Sequence, residues 1–199
     1  LGPVHGEVDA ARRRDFTVQH SAQHLLSAIA ADQLEWETVS VHFGADHSTI
    51  EFVTPSFSAL QLVELERRAN AVVAEAHPVG VAFEDAAVAT LTGLRKATER
   101  TGTIRVISIE GLDRSACGGT HVRSTSEVGP IYLSGSERVR GNLRVAFLAG
   151  ERTNAHFRRL DHVLTNAATA MGCAPAELAG LIAARHAELK ELRARLAGL

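Results

Sequence analysis

The sequence predicts an α+β fold, an antiparallel or mixed sheet with packed helices, followed by a C-terminal helical hairpin. Three observations carry this. Short runs of strand-forming residues bounded by turn signals recur over residues 38–148. Two longer segments, near residues 15–34 and 58–77, repeat apolar residues at helical spacing. After Gly150 the strand signals vanish, and leucine-type positions recur three and four apart.

In the first segment Val18, Leu25, Leu26 and Ile29 mark a helix, which Asp15 or Thr17 can cap. Alternation follows, with Val39, Val41 and Phe43 on one face and Ser40 and His42 on the other. Gly-Ala-Asp-His then leads into residues 48–53, which makes a hairpin. Ser58 and Gln61 have the spacing of a capping box, and Leu62, Leu65, Ala69, Val72 and Val73 form the stripe of a helix ending near His77-Pro78. Residues 79–83 and 104–109 read as strands separated by a short alanine-rich helix. Residues 111–120 read as a loop, because Gly118-Gly119 and neighbouring polar residues break both periodicities. Residues 130–133 and 137–148, bent at Gly141-Asn142, read as further strands.

Beyond Gly150, Phe157, Leu160, Leu164, Ala167 and Met171 define one helix, and Leu178, Ile182, Leu189, Leu192 and Leu196 a second, joined at Gly172-Cys173-Ala174-Pro175. The second has heptad-like spacing interrupted by Arg185. A hairpin packed on its own domain and a dimer zipper both fit this pattern. The expected organisation is a short leading segment in residues 1–14, a metal-binding domain in residues 15–150 and a helical segment in residues 151–199.

Composition narrows the class. With 45% apolar and 22% charged residues the chain is globular rather than disordered, and a formal charge of −2 provides no global basic field for nucleic acid. Any RNA contact must rest on local clusters such as Arg12, Arg13 and Arg14, or Arg95, Lys96 and Arg100, or Arg138, Arg140 and Arg144. The two cysteines, Cys117 and Cys173, sit in unlike contexts, which argues for a reducing, cytoplasmic setting; Cys173 is assigned to the core or the helix junction. No apolar run reaches the length of a membrane span, so no membrane partner is expected. The chain lacks an initiator methionine and is expected to be part of something longer.

The chemistry lies in two motifs. His20-Ser-Ala-Gln-His24 places two imidazoles one turn apart on a helix face, and Cys117-Gly-Gly-Thr-His121 places a thiolate and an imidazole at the ends of a glycine turn. Each half alone is weak. Together they form a soft nitrogen and sulfur set suited to one tetrahedral Zn2+ held by His20, His24, Cys117 and His121.

These motifs, with Asp113 ahead of the cysteine, resemble the editing domain shared by alanyl-tRNA synthetase and the free-standing alanyl-tRNA editing proteins of the AlaX family. The resemblance extends to Val8-Asp9, Arg12-Arg13, the segment 38–44, Ile104-Arg105-Val106 and residues 147–150. Threonyl-tRNA synthetase editing domains look similar, but usually have proline where this chain has Thr120, which favours the alanine branch. The resemblance implies hydrolysis of the ester that joins serine or glycine to tRNA for alanine. It also implies that Thr38, Ser40 and His42 lie on a polar strand facing the pocket, as catalytic or hydroxyl-reading groups, and that the family's preceding small β-barrel is nearly absent, with residues 1–14 the end of it. Zinc with four protein ligands would orient the site or recognise an amino group by ligand exchange, whereas zinc with three would activate water. The leading expectation is an editing factor acting in trans, with a homodimer through the C-terminal helices as one assembly. The alternatives are an editing fragment of a full alanyl-tRNA synthetase and a zinc-stabilised tRNA-binding module without hydrolysis.

Overall fold

The computed structural model describes residues 2–198 in two compact units, one running to Thr153 and one from Asn154 onward. The first unit is built around a long helix, α1 (Ala10–Leu34). It begins five residues before Asp15, because the Asp9 side chain accepts a hydrogen bond from the Arg12 backbone N–H and caps the first turn. Residues 10–14 therefore belong to this helix. Glu35, in the left-handed conformation, ends it.

From residue 17 to residue 30 α1 is almost wholly buried, and this stretch includes polar Thr17, Gln19, Ser21, Gln23, His24 and Ser27. A buried helix with so many polar groups needs partners for them, and of these side chains only Gln19 Oε1 stays buried without one. Gln19 donates to the Ala149 carbonyl at 2.9 Å, Thr17 donates to the Arg13 carbonyl and meets Thr120, and Ser21 accepts from the Val122 N–H at 3.1 Å.

The hairpin is present as β1 (Glu37–Phe43) and β2 (Ser48–Val53), followed by α2 (Ala59–Glu75), whose Ser58 and Gln61 form the expected capping box. Next come β3 (Val79–Asp85), the short α3 (Ala86–Leu91), β4 (Thr103–Ile109) and β5 (Asp113–Ala116). β5 corrects the loop expected over residues 111–120. Its four residues are too few and too polar to show alternation, and they are strand because they complete a ladder with β4. A second correction is that β6 (Ile131–Val139) is one strand with a bulge between Leu133 and Gly135 rather than two pieces. It turns at Arg140-Gly141 into β7 (Asn142–Ala149).

All strand pairs are antiparallel, in two sheets of order β1-β2-β7-β6 and β3-β4-β5. α1 and α2 cover one face of the larger sheet, where Leu25, Leu26, Ile29, Leu65 and Val72 meet Ile50, Phe52, Leu143, Val145 and Phe147. A smaller core of Ala86, Ala89, Ile104 and Val106 joins α3 to the second sheet. Arg152 closes the first unit: its guanidinium pairs with both oxygens of Asp15, at 2.8 and 2.6 Å, and donates to the Gly44 carbonyl.

In the second unit, α4 (Glu151–Met171) ends where Gly172 takes a positive φ, and the Cys173 N–H returns to the Ala168 carbonyl. A 3₁₀ turn (Pro175–Glu177) then starts α5 (Leu178–Ala197), as the Gly-Cys-Ala-Pro junction predicts. Ala168 and Leu178 are buried, whereas Leu160, Leu164, Ile182, Leu189 and Leu192 remain exposed. Among the described residues no single helix is long and apolar enough to cross a membrane.

Candidate metal centre and its cavity

The structure brings His20, His24, Cys117 and His121 together, with one ligand atom from each lying within 4.8 Å of all the others. His20 Nε2 and His121 Nε2 are each 3.4 Å from Cys117 Sγ. A tetrahedral ion with metal–ligand bonds of about 2.1–2.3 Å needs ligand atoms roughly 3.4–3.7 Å apart, so the two distances to Cys117 have that spacing and the donor set suits a metal ion chemically. His20 and His24 come from adjacent turns of α1. Cys117 follows the end of β5, and His121 ends the turn after it.

Three contacts hold that turn on α1. The Thr17 hydroxyl, whose proton goes to the Arg13 carbonyl, accepts from Thr120 Oγ1 at 2.7 Å, Ser21 Oγ lies 3.4 Å from His121 Nδ1, and Ser21 also accepts from the Val122 N–H. Because the Ser21 hydroxyl already donates to the Thr17 carbonyl, His121 Nδ1 is the donor to it, which turns the His121 Nε2 toward Cys117. From the other side Arg105 donates to the Cys117 and Gly119 carbonyls at 2.8 and 2.7 Å. Gly119 is required by space: a Cβ there would stand 2.2 Å from His20 Cε1.

Behind the ligands lies a buried carboxylate. His24 Nδ1 meets Asp113 Oδ2 at 2.8 Å, Arg95 Nε donates to Asp113 Oδ1 at 2.7 Å, and Ser115 Oγ donates to the same oxygen at 2.9 Å. This fixes the His24 tautomer with Nε2 turned to the cluster. Burial penalises the Asp113 carboxylate, but His24 and Arg95 outweigh it and hold its pKa below the ordinary value. Burial likewise opposes a charged His24, yet hydrogen bonds to Asp113 and Cys117 raise its pKa. Burial lowers the pKa of His121. For Cys117 burial opposes the thiolate, but hydrogen bonds from His121, His20 and His24 and from the Gly119 N–H prevail and lower its pKa to about 3.

Beside the ligands opens a cavity of about 330 Å³, lined among others by Gln23, Thr38, Ser40, Lys96, Ser115 and Cys117. The β1–β2 register places the three expected polar-strand residues differently. Thr38 pairs with Phe52, but a bulge at Val39 shifts the phase, so that Ser40 pairs with Glu51 and His42 with Thr49. Thr38 therefore shares the buried face with Val41 and Phe43, while Ser40 and His42 share the outer face with Glu51. Thr38 donates to Ser27 Oγ at 2.8 Å, which also accepts from Gln23 at 2.8 Å. Ser40 keeps a place on the cavity rim, and His42 is not among the cavity-lining residues. The expected alternation of Val39 with Val41 and Phe43 is corrected by the same bulge.

Residues 104–160 match the model of the threonyl and alanyl tRNA synthetase second additional domain. The matched segment runs from β4 into α4 and includes Cys117 and His121. The chain is 35% identical over 172 residues to the alanyl-tRNA editing protein Aarsd1 of Bos taurus, covering 84% of this chain and 38% of that protein. It is 36% identical over 153 residues to the alanyl-tRNA editing protein Aarsd1 of Mus musculus, covering 75% of this chain and 37% of that protein. It is also 32% identical over 178 residues to the alanine–tRNA ligase of Cenarchaeum symbiosum, covering 85% of this chain and 19% of that protein. The chain thus spans less than two fifths of the length of these relatives.

Several residues of this site escaped sequence reading. Arg95 was visible only as one of a basic cluster, and Gln23, Ser27, Ser115 and Arg105 carried no spacing signal because their partners come from other elements. Two outcomes follow from the geometry. Gly119→Ala should drop the metal content of purified protein below about half an equivalent, because His20 must move to make room; full occupancy by metal analysis would contradict the close approach. In chelator-treated protein, alkylation of Cys117 by iodoacetamide should change little between pH 6 and 8. That range lies wholly above the thiol's lowered pKa, whereas an ordinary thiol reacts nearly tenfold faster per pH unit there. A steep rise with pH, followed by mass spectrometry of the Cys117 peptide, would count against the thiolate.

Proposed function

We propose that this chain binds one Zn2+ through His20, His24, Cys117 and His121 and hydrolyses the ester joining serine or glycine to tRNA for alanine, acting in trans in the cytoplasm. The observation that carries the reading is the meeting, in one family fold, of a nitrogen and sulfur ligand set with a polar cavity of amino-acid size. When bound, zinc would supply a fixed positive centre that attracts the substrate's polar groups or activates water. A second reading is an editing segment of an alanyl-tRNA synthetase, favoured by the match of 97% of this chain to the alanine–tRNA ligase of Methanopyrus kandleri at 30% identity.

The chain's own residues suggest how selection works. Ser27 accepts from both Gln23 and Thr38, so the Thr38 proton is committed to Ser27 and its lone pairs are left to face the cavity. A substrate serine hydroxyl can donate to them, and an alanyl group cannot. In this reading Thr38 takes the hydroxyl-sensing part, Ser40 contributes at the rim, and His42 contributes least. Arg95, through Asp113, positions His24, while Lys96 and Arg100 give the cavity mouth a positive lining that suits an RNA end.

The deciding experiment is deacylation of seryl-, glycyl- and alanyl-tRNA for alanine, with metal analysis of the same preparation. We expect one zinc per chain, seryl-tRNA hydrolysed well ahead of alanyl-tRNA, and Thr38→Val slowing serine release about ten- to a hundredfold with zinc retained. Equal rates on seryl- and alanyl-tRNA, or an unaltered Thr38→Val, would refute the selectivity assignment. Binding of tRNA without release of serine would leave only a non-catalytic module.

The exposed apolar residues of α4 and α5 further suggest a homodimer through these helices. Sedimentation should then give a dimer at micromolar concentration that Leu189→Glu with Leu192→Glu converts to monomer; a monomeric wild-type chain would refute it.

A further inference from the structure

One part of the site face has no role in the reaction proposed above. In the smaller sheet Phe83 pairs with Arg105, and the Cys117 N–H donates to the Arg105 carbonyl at 3.0 Å, which extends the β4–β5 ladder by one residue. Val106 and Ala116 point to the α3 side, where both join the smaller core. Because side chains alternate along a strand, Phe83, Arg105 and Cys117 stand in one row across the opposite face. Val81, paired with Ile107, lies beside Phe83 on that face.

This row is unevenly covered. Ile107 is fully buried, whereas Phe83 is 72% exposed and Val81 52% exposed. An exposed aromatic ring on a strand offers an open face to a flat ligand, and this one lies two strand spacings, about 10 Å, from Cys117. Between them the Arg105 guanidinium is committed to the Cys117 and Gly119 carbonyls, so it braces the metal-binding turn. The cavity proposed for the acyl group meets the β5 edge of this sheet at Ser115 and Cys117, and Phe83 lies at its β3 edge.

The span from Cys117 to Phe83 is about that of one nucleoside. The ester under attack joins the amino acid to the ribose of the terminal nucleotide, so an acyl group beside Cys117 leaves its nucleoside to lie along this row. An aromatic face suits a flat base better than a phosphate, since the Arg105 guanidinium in the row is already spent on the Cys117 and Gly119 carbonyls.

We propose that Phe83, flanked by Val81, is the stacking platform for the terminal adenine of the aminoacylated acceptor strand. The proposal rests on the hydrolytic reading above. Stacking on a single exposed aromatic strengthens binding without touching the ester, so its signature lies in half-saturation rather than in the chemical step.

The test uses the full chain and tRNA for alanine whose terminal adenine is replaced by 2-aminopurine, a base whose fluorescence falls on stacking. Wild-type and Phe83→Tyr should quench the probe, and Phe83→Ala should leave it bright. In single-turnover deacylation of unmodified seryl-tRNA, Phe83→Ala should raise the half-saturating protein concentration about tenfold and change the saturating rate far less. Equal quenching by wild-type and Phe83→Ala, or none by the wild-type, overturns the platform. Equal half-saturation with a reduced saturating rate overturns it too. If the wild-type releases no serine, the hydrolytic reading fails, and the quenching titration still decides the stacking separately.

Discussion

Asp113 is fully buried as a side chain and accepts hydrogen bonds from three groups carried by three different parts of the chain. His24 brings α1, Arg95 brings the segment after α3, and Ser115 belongs to β5 itself. A carboxylate in such a place is tolerable only while its partners stay, since removing one leaves a buried charge uncompensated, at about 3–5 kcal/mol for a paired ion. The rest of the site inherits its order from this constraint. It sets the ring of His24, and through β5 it sets where Cys117 emerges.

The same logic explains the unusual character of α1. A helix at the centre of a domain is ordinarily apolar all round, but here Thr17, Gln19, Ser21, Gln23 and Ser27 are buried with the leucines. They hydrogen-bond to what surrounds the helix: Gln19 to β7, Thr17 and Ser21 to the turn that carries His121, and Ser27 to Thr38 of β1. α1 thus reaches the β1 edge of one sheet and the β5 edge of the other by polar contacts, and its apolar stripe supplies the main core. An ion bound by His20, His24, Cys117 and His121 would join the same two regions of sequence, so its binding energy would also be folding energy.

How much of this could be read from the sequence depended on how local each signal was. The capping box at Ser58 and Gln61, the hairpin before it, the glycine junction of α4 and α5 and the two ligand motifs are complete within a few residues, and each lies where its pattern predicts. β5 was invisible because four polar residues become a strand only through pairing with β4. Arg95 and Ser115 gave no sign of their part in the site because the buried carboxylate that gathers them draws its partners from separate elements. The start of α1 was misplaced for a simpler reason: the basic run at Arg12, Arg13 and Arg14 obscured the cap supplied by Asp9.

The bulge at Val39 shows why a strand pattern can place residues on one face that the structure separates. Read with strict alternation, Thr38, Ser40 and His42 share a face; one extra residue in β1 separates the first from the other two. β1 is an edge strand, where a bulge costs the sheet only one side of its ladder, so the phase shift is cheap there. Its effect is to aim one hydroxyl inward, against Ser27 on α1, at the place where the cavity meets the metal ligands. The local polar pattern thus determines which side chains are available, and the register against β2 determines which of them the site receives.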